Sequence, residues 1–405
     1  MDILFVVPYI PNLIRVRSYN LIRHLSARGH RLTVLTIWTN EQEREEVEQL
    51  KLYCNEVRSV YLPVWRSWWN CLQALPSSTP LQAKYCWQPE LVSQFADAEF
   101  QADVVHVEHL RGAHYGLYLK TQLKNMNRYL PIIWDSVDCI SLLFRQAADR
   151  SQKPLSRWLT RFELGRTEKY EGWLVNQFDQ VLVTSPADRE ALISLLPTGQ
   201  EPSSVTVLPN GVDVAYFVPN QDIAREPATL VMSGKMSYHA NVTMLFHFVR
   251  DILPLIWVHR PDVKLCVVGK DPPREVLALA QNPSISITGT VNDIRPYLQR
   301  ATMAVAPLTY GAGIQNKVLE AMACATPVVS TPQAVSALEV LPGRDVLVAR
   351  ESEAFAETVL HLLEDPHQQR RLGQAGRRYV ETYHPWGVIA AQLEDVYHEV
   401  ISVRC

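Results

Sequence analysis

Short apolar runs alternate with helical patterns along the whole chain. The first run, Ile3–Val7, is followed by a pattern that predicts a helix over roughly 17–28, and Gly29 stands where a glycine would end that helix. Because the runs are almost continuously apolar, they favour strands of a parallel sheet that is covered on both faces. Such alternation of strand and helix predicts a doubly wound α/β domain. The further strands predicted in this half are Leu32–Thr36, Val57–Leu62, Val104–Val107, Ile132–Trp134 and Val181–Thr184.

The pattern begins again after Asn210-Gly211-Val212-Asp213. We therefore predict two α/β domains, residues 1–210 and 211–386, joined near 211–228, where Asn, Pro and Gly cluster. A last helical stretch, about 387–402, follows His384-Pro385-Trp386 and runs toward the end of the chain at 405. The strands predicted for the second domain are Thr229–Ser233, Lys264–Val268, Ser286–Thr288, Met303–Ala306, Pro327–Ser330 and Asp345–Val348.

Composition narrows the class of protein. The 405 residues carry a formal net charge of −3, so there is no basic field of the kind that binds nucleic acid. The 7 cysteines are scattered without a C-x-x-C pair, which favours a reducing compartment over a disulfide or zinc framework. The apolar start lacks a basic n-region and reads as a first strand rather than a signal peptide. No apolar run approaches the roughly 20 residues that span a bilayer, so we expect a cytoplasmic protein that can rest on the inner face of the cell membrane.

Residues 63–90 are unusually aromatic. Trp65, Trp68, Trp69 and Trp87 occur there with the cations Arg66 and Lys84. Aromatic side chains beside basic ones can seat a protein at a lipid headgroup layer. The alternative is a loop-and-helix region whose aromatics pack inward or against a bulky acceptor, and the sequence leaves both interpretations open.

The segment 305–331 carries the clearest chemistry. It reads as a buried strand, a glycine turn, a helix with Lys317 and Glu320, and another buried strand. A glycine turn that enters a helix directs free N–H groups and a positive dipole end at its contents, which suits a phosphate. Lys317 and Glu320 are three positions apart and share one helix face, so a cation for phosphate and a carboxylate for sugar hydroxyls come together. The residues expected to line the turn are Gly311, Ala312, Gly313, Ile314 and Gln315.

This segment resembles the donor-site helix of nucleotide-sugar glycosyltransferases with the GT-B fold, above all the family 4 retaining enzymes. Asn210-Gly211-Val212-Asp213 with Phe217-x-Pro219 is similar to that family's domain junction. The resemblance implies two Rossmann-like domains facing a central cleft. The first would bind the acceptor and the second the nucleotide-sugar donor, and the terminal helix, about 387–405, would cross back onto the first domain.

The family's donor helix normally carries two carboxylates, spaced Glu-x7-Glu. Glu320 matches the second, which contacts the nucleotide ribose. The first, which holds the donor sugar, would fall at position 312, where this chain has Ala312. This departure keeps alternatives to catalysis open.

Other residues of the second domain extend the implied donor site. Gly234 and Lys235 follow a strand at the positions of a family Gly and Arg, and lysine is a point charge where arginine binds two oxygens. His239 stands near the position of a further family lysine and can partly substitute for it. Thr290 and Val291 follow another strand, and the resemblance implies that their backbone holds the base.

Polar residues also follow the strands of the first domain. Glu108 and His109 come after one strand and Asp135 after the next, and each can orient the sugar or stabilise positive charge at the reacting carbon. His106 is equally well explained as a buried structural histidine, and Asp138 as a helix cap. The opening loop has Tyr9, Asn12, Arg15 and Arg17 in place of family glycines, so an arginine there can meet an acceptor phosphate or simply lie exposed.

The resemblance implies transfer of a hexose from a nucleoside diphosphate sugar to an acceptor hydroxyl with retention, in cell-surface polysaccharide or glycolipid synthesis. The sequence has no Asp-x-Asp motif at a strand end and no His/Cys set with ligand spacing, so we expect a metal-independent reaction without a cofactor. Lys235, Lys317 and the helix N-terminus would then neutralise the departing diphosphate. The alternatives are a non-catalytic nucleotide-sugar-binding subunit of an assembly complex and a GT-B UDP-sugar epimerase.

Overall fold

The computed structural model describes residues 1–13, 15–96, 102–150, 154–197, 199–201, 204–220, 222–311 and 313–402. The chain divides into two compact units. The first comprises Met1–Pro209 together with the C-terminal helix, and the second comprises Asn210–Pro385. Each unit is an α/β structure built on one sheet, and the parallel sheets predicted from the apolar runs are confirmed.

The strands of the first unit pair in the order β3-β2-β1-β4-β5-β6-β7, and those of the second in the order β10-β9-β8-β11-β12-β13. All of these pairings are parallel. The strand order reverses between β1 and β4 in the first sheet and between β8 and β11 in the second, which is where α/β sheets bind ligands. The strands are β1 Asp2–Val7, β2 Arg31–Trp38, β3 Glu56–Tyr61, β4 Val104–Glu108, β5 Ile132–Val137, β6 Gln180–Val183, β7 Val205–Val207, β8 Thr229–Ser233, β9 Lys264–Val268, β10 Ile285–Ile287, β11 Met303–Ala306, β12 Val328–Ser330 and β13 Leu347–Val348.

Helices connect the strands and cover the sheets. They are α1 Val16–Ala27, α2 Glu41–Leu50, α3 Val64–Ala74, α4 Leu81–Tyr85, α5 Pro89–Ala96, α6 His109–Asn125, α7 Ile140–Arg150, α8 Pro154–Val175, α9 Pro186–Ser194, α10 His239–His247, α11 Leu253–His259, α12 Arg274–Leu277, α13 Arg295–Arg300, α14 Asn316–Ala323, α15 Pro332–Val335, α16 Ser352–Glu364, α17 Pro366–Tyr383 and α18 Trp386–Ser402. A π-helical turn, Phe248–Ile252, joins α10 to α11.

The core of the first unit includes the C-terminal helix. Ile389, Leu393 and Tyr397 of α18 are buried together with Leu21 and Leu25 of α1, so the last helix completes one face of the first sheet. The burial of these large side chains removes apolar surface from water and is the main source of stability for this packing.

Two features of the second unit differ from the sequence interpretation. The stretch expected to link the domains belongs to the second unit, because Val212 lies in its core and Arg377 donates hydrogen bonds to the carbonyls of Val214 and Phe217. The combined helix His239–His259 is long and apolar enough to cross a membrane by length and composition. Its residues Met244, Phe248 and Ile256 are buried in the second core, which accounts for their apolar character.

Candidate functional site

The candidate donor site lies at the carboxyl edge of the second sheet, on either side of its strand-order reversal. β8 ends at Ser233 and leads into Gly234 and Lys235, while β11 ends at Ala306 and leads into the turn before α14. Because β8 and β11 are neighbours in the sheet, these two loops start side by side. The sequence motifs singled out above therefore converge at the edge where α/β sheets bind ligands.

The turn before α14 adopts backbone conformations that need glycine. Gly311 has φ +153° and Gly313 has φ +68°, and Ala312 between them lies outside the described residues. Ile314 packs into the core beneath the turn, and Gln315 precedes the first helical residue. The N–H groups of the first helical turn have no partner within a helix and carry its positive dipole end, so the arrangement suits an anion.

Two buried polar atoms flank this turn without a hydrogen-bond partner among the described residues. They are Thr309 Oγ1, before the turn, and Asn316 Oδ1, at the start of α14. Buried polar atoms in folded proteins are nearly always hydrogen-bonded. Their state here fits a site that a polar ligand completes.

Lys317 is half-buried on the first turn of α14. Its Nζ donates a 2.6 Å hydrogen bond to Asn241 Oδ1 and lies 3.3 Å from Gln315 Oε1. Burial lowers the pKa of Lys317 to about 8, although the charge of Glu320 acts in the opposite direction. The side chain is therefore still mostly an ammonium at neutral pH and can bind a diphosphate oxygen, which would restore its usual pKa.

Glu320 lies one turn further along α14 and is half-buried. Within the described residues, its carboxylate makes no hydrogen bond and no ion pair, so Lys317 is not its partner in the structure. Burial raises the pKa of Glu320 to about 7, against the lowering effect of Lys317. A carboxylate with its lone pairs unused can accept two hydrogen bonds from the adjacent hydroxyls of a ribose.

Asn241 is a component of this site that the sequence interpretation recorded only as a helix start. It is buried on α10, where its Oδ1 accepts from Lys317 and its Nδ2 donates to the carbonyl of Lys235 at 2.9 Å. A Cβ atom at Gly234, which has φ +146°, would lie 2.8 Å from Asn241 Nδ2. Gly234 therefore leaves room for the Asn241 amide, which orients Lys317. A local sequence motif does not reveal this link between the two loops.

His239 contacts Tyr310, the residue before the glycine turn. Its ring stacks on Tyr310 with centroids 5.5 Å apart, and its Nδ1 lies 2.7 Å from the Tyr310 hydroxyl. Burial lowers the pKa of His239 below its usual 6.5, which disfavours a charged ring in the absence of a ligand. Its partial substitution for a family lysine stays a prediction. Lys235, in contrast, is exposed, and its side chain makes no hydrogen bond or ion pair with the residues that the structure describes.

Thr290 and Val291 follow β10, after Gly289 with φ +70°. Thr290 is exposed, whereas Val291 packs partly against the second core. The role of their backbone toward a base stays a prediction.

In the first unit, Tyr9 and Glu108 form a hydrogen-bonded pair at the carboxyl ends of β1 and β4. The Tyr9 hydroxyl donates to Glu108 Oε1 at 2.7 Å. Burial, reinforced by the nearby charge of Asp135, raises the pKa of Glu108 to about 7. Because Glu108 is 2% exposed, the expected direct contact between its carboxylate and a sugar does not fit this geometry. Tyr9, which the sequence placed in the opening loop without a role, is the more accessible member of the pair.

Asp135 and Arg17 are corrections to the predicted site. Arg17 Nε donates to Asp135 Oδ2 at 2.7 Å, and its Nη1 donates to the carbonyl of Leu208 at 3.0 Å. Burial would raise the pKa of Asp135, but the Arg17 charge and His106 overcome it and lower the pKa to about 2. Both side chains are buried, Asp135 completely. A direct role of Asp135 at the reacting carbon, and of Arg17 at an acceptor phosphate, is therefore contradicted: they form an internal ion pair.

His106 is the buried structural histidine of the alternative interpretation. It is fully buried, with Nδ1 2.9 Å from the Tyr397 hydroxyl and Nε2 3.5 Å from Asp135 Oδ2. Asp138, by contrast, does not cap α7. The N–H groups of Ile140 and Ser141 donate instead to Glu171 of α8, at 2.8 and 2.9 Å.

His109 is half-buried, whereas Glu108 and Asp135, the other predicted catalytic groups of the first unit, are buried. It starts α6 with φ +66°, a conformation that a non-glycine residue rarely adopts and that often marks a functional site. Its Nδ1 accepts from the Arg111 N–H at 3.3 Å. Burial and the charge of Arg111 lower its pKa to about 3, so the imidazole is neutral and can donate or accept a hydrogen bond.

Arg15 and Asn12 lie in the opening loop beside Tyr9. Arg15 is partly exposed, with its guanidinium 4.8 Å from the Tyr9 ring centroid and 3.1 Å from Glu43 Oε1. Asn12 Nδ2 donates to Glu46 Oε2 at 2.6 Å, and its Oδ1 accepts from the Arg15 N–H at 2.8 Å. Both residues are held against α2, and their contact with an acceptor stays a prediction.

In the part of the chain that the structure describes, no three His, Cys, Asp or Glu side chains converge to hold a metal ion. Metal independence stays a prediction. The six described cysteines are free.

Two family descriptions match the chain. "Glycosyl transferase 4-like domain" matches residues 14–211, and "Glycosyl transferases group 1" matches residues 227–365. These ranges fall on the first and second units.

Known proteins and solved structures agree with the family match. α-Maltose-1-phosphate synthase of Mycolicibacterium smegmatis is 30% identical over 282 residues, which cover 62% of this chain and 71% of that protein. The lipopolysaccharide core biosynthesis mannosyltransferase LpcC of Rhizobium leguminosarum is 25% identical over 270 residues, which cover 62% of this chain and 73% of that protein.

Among solved structures, sucrose-phosphate synthase of Thermosynechococcus elongatus has a TM-score of 0.73 at 18% identity and covers 100% of both chains. The Anabaena protein HepE in complex with UDP has a TM-score of 0.70 at 14% identity, covering 98% of this chain and 100% of that chain. At such low identity the likeness shows the fold. The chain belongs to the group 1 glycosyltransferases with a 4-like N-terminal domain, and it is a glycosyltransferase with the GT-B fold.

Proposed function

We propose that this glycosyltransferase moves a hexose from a nucleoside diphosphate sugar to an acceptor hydroxyl with retention of configuration, in the synthesis of a cell-surface polysaccharide or glycolipid. The observation that carries the proposal is the arrangement of the glycine turn, Lys317 and Glu320 beside the strand-order reversal of the second sheet. An anion site and a free carboxylate one turn apart suit the diphosphate and the ribose of one nucleotide.

The relatives support this substrate class. HepE has been solved with UDP and with UDP-glucose. A mannosyltransferase of Corynebacterium glutamicum, 26% identical over 208 residues that cover 55% of its length, is named as dependent on GDP-mannose and acts on a phosphatidylinositol mannoside. LpcC is named for lipopolysaccharide core biosynthesis. Two nucleotides, UDP and GDP, and two sugars, glucose and mannose, therefore occur in the names of similar proteins.

In the proposed mechanism, the second unit stabilises the leaving diphosphate. Lys317, the exposed Lys235 and the N-terminus of α14 neutralise charge as the bond between sugar and phosphate breaks, so no metal ion is needed. The leaving phosphate takes the proton of the acceptor hydroxyl, which attacks from the same face of the sugar. Glu320 holds the ribose. Rate acceleration then comes mainly from positioning and from electrostatic stabilisation of the transition state.

The first unit is proposed to bind the acceptor. His109, neutral and partly accessible, can hydrogen-bond a sugar hydroxyl without adding charge, and Arg15 offers a cation for an acceptor phosphate. Free cysteines suit a reducing compartment, and we propose that the reaction takes place in the cytoplasm.

One departure favours a second candidate function. Ala312 occupies the position at which related enzymes carry a carboxylate that holds the donor sugar. A nucleotide-sugar-binding subunit without transferase activity would retain Lys317 and Glu320 and lose that carboxylate.

A screen followed by a transfer assay separates these functions. UDP, GDP and ADP are first tested for a rise in melting temperature, since a ligand that binds only the folded state raises it. The corresponding labelled nucleotide sugars are then incubated with the protein at single turnover, with and without sugar acceptors. Transfer or slow hydrolysis supports the proposed reaction, epimerised donor supports the epimerase, and tight binding without either reaction supports the binding subunit.

A further inference from the structure

Helix α3 places its small and polar side chains inward and its large apolar side chains outward, the reverse of an ordinary helix on a water-exposed surface. Its buried side carries Ser67, Asn70 and Ala74, each at most 3% exposed. Asn70 Nδ2 donates to the carbonyl of Trp87 at 2.8 Å, so the inward side makes a specific polar contact. The outward side is apolar. The side chains that form it, called here the tryptophan face, are Val64, Trp65, Trp68, Trp69, Leu72 and Leu75.

The tryptophan face is a continuous stripe. Positions 65, 68, 69 and 72 follow the spacing of one helix face, and the six side chains are between 47% and 73% exposed. Single exposed apolar residues are ordinary on protein surfaces, but a contiguous patch of large ones marks an interaction site. Since the small and polar residues point inward, the stripe is not a core face that happens to be partly open.

Charges around this helix favour an anionic surface. Residues 57–89 contain Arg58, Arg66 and Lys84 and no Asp or Glu. Arg58 is paired with Glu56 at 2.7 Å, just before this stretch, and Lys84 Nζ lies 2.6 Å from His114 Nε2. Arg66 and Lys84 therefore remain without a carboxylate partner among the described residues. The Arg66 guanidinium lies 6.0 Å from the Trp65 ring centroid. On α8, beside the end of α3, Arg161 is exposed, while Glu163 forms an ion pair with Arg166.

Packing contacts between helices connect α3 to the candidate acceptor residue His109. α3 packs on α4, and α4 packs on α6. At the end of α4, the partly exposed ring of Tyr85 lies 5.3 Å from the Arg111 guanidinium. Arg111 follows His109 by two residues and donates to its ring through the backbone. α3 is therefore connected to the element that carries His109 through α4 and the start of α6.

From these observations we propose that α3 is an interfacial membrane anchor, whose tryptophan face inserts among the headgroups of an anionic phospholipid bilayer. Tryptophan prefers this boundary because its ring is apolar and its indole N–H is polar. The flanking cations attract anionic headgroups, and the strength of such binding scales with the apolar area inserted. The proposal goes beyond the proposed transfer reaction and does not depend on which donor is used.

The test uses the full-length protein and sedimentation with lipid vesicles. One set of vesicles is phosphatidylcholine alone, and the other contains about 30% phosphatidylglycerol. The variant replaces the three tryptophans together: Trp65→Gln, Trp68→Gln and Trp69→Gln. The matched control, Leu52→Gln with Met126→Gln, removes two apolar side chains of similar exposure from loops at the opposite edge of the same sheet.

We expect the wild type and the control to sediment with anionic vesicles, and less with neutral vesicles or at raised salt. The triple variant should lose at least about tenfold in its partition coefficient, because most of the inserted apolar area is gone. Circular dichroism and nucleotide binding verify that it is folded, since all three positions are exposed and lie outside the donor site.

Three results would overturn the proposal. The wild type can fail to bind either kind of vesicle, or the triple variant can bind as well as the wild type. Alternatively, sedimentation velocity can reveal a wild-type dimer that the triple substitution dissociates, with no vesicle binding, which would make the tryptophan face a contact between two copies of the chain. Failure of sugar transfer leaves these outcomes unchanged, so the two proposals are tested separately.

Discussion

Replacement of Lys317 by methionine should weaken nucleotide binding more than any other single change of a cation in the second unit. Methionine keeps much of the length and volume of the lysine stem but removes the ammonium. In the structure this ammonium is half-buried, with one short hydrogen bond to Asn241 and a second contact to Gln315. It can therefore offer a further N–H to a diphosphate oxygen without moving from its position.

The magnitude follows from that geometry. A hydrogen bond to a charged group contributes about 1.5–3 kcal/mol. At about 1.4 kcal/mol for each tenfold, the Kd for a nucleoside diphosphate should rise about 10- to 100-fold. Lys264→Met is the matched control, because Lys264 is exposed at the start of β9, at the opposite edge of the same sheet. Its Kd should stay within about twofold of the wild-type value.

The pH dependence gives a second and more specific readout. Burial lowers the pKa of Lys317 to about 8 in the free protein. A bound diphosphate stabilises the ammonium and raises this pKa, so binding takes up a proton above about pH 8. The wild-type affinity should then fall as the pH rises from about 8 to 10, and the Lys317→Met variant should lack this slope.

Isothermal titration calorimetry with whichever of UDP, GDP and ADP stabilises the protein measures both quantities. Denaturant unfolding of the variant checks that the loss of the Asn241 contact has not disturbed the fold. An unchanged Kd in Lys317→Met, or a pH slope that persists in it, would refute the assignment of Lys317 to the phosphates.

Three further predictions concern the buried groups. Arg17→Met should lower the free energy of unfolding by about 3–5 kcal/mol, because it leaves a carboxylate buried without its cation, and a loss below about 1 kcal/mol in urea melts would contradict the ion pair. Glu108→Gln should leave the free energy of unfolding nearly unchanged near pH 4.5 but raise it by about 1–3 kcal/mol at pH 8. The pKa of Glu108 in the folded protein is about 7, so only the wild type must ionise a buried carboxyl as the pH rises. Equal dependence of the unfolding free energy on pH in the two proteins would rule this out. Gly269→Ala should lower the free energy of unfolding by at least about 2 kcal/mol, since its Cβ would lie 1.7 Å from the Gly234 carbonyl oxygen. Gly165→Ala is the control, because no packing neighbour lies within 4 Å of its added Cβ, and it should change this free energy by less than about 1 kcal/mol. Similar melting temperatures for the two variants would argue against the close backbone approach.

The fold was largely predictable because most of its strands are nearly continuous apolar runs that alternate with helical patterns. Thr229–Ser233, Lys264–Val268 and Met303–Ala306 have the bounds expected from their hydrophobic pattern. β7 was missed, since Val205–Val207 has three residues at the edge of the first sheet and too little pattern to recognise. Short edge strands are stabilised by their neighbour rather than by their own sequence.

The candidate donor site was predictable where its parts are close together in the chain. The glycine turn, Lys317 and Glu320 lie within ten residues, so spacing alone places them on one helix start. Asn241, 76 residues before Lys317, was not assigned to the site, because nothing in a local pattern links the two.

The first unit is where residue type misled the interpretation. Arg17 and Asp135 are 118 residues apart, and each alone resembles a polar group at a ligand site. Tertiary packing brings them together and buries them, which turns two candidate ligand contacts into one structural ion pair. The sequence also left the aromatic stretch at 63–90 undecided between an inward-packed and an exposed region. Which side of α3 faces inward depends on the elements that pack against it rather than on its own periodicity.

The central claim is that the turn before α14, with Lys317 and Glu320, binds the donor nucleotide. The most direct measurement is a crystal structure of the protein with the nucleoside diphosphate that stabilises it most. We predict phosphate oxygens within hydrogen-bond distance of Lys317 Nζ and of the first N–H groups of α14, and ribose hydroxyls on the Glu320 carboxylate. A nucleotide bound elsewhere, or one whose phosphates and ribose leave both side chains without a contact, would contradict the account.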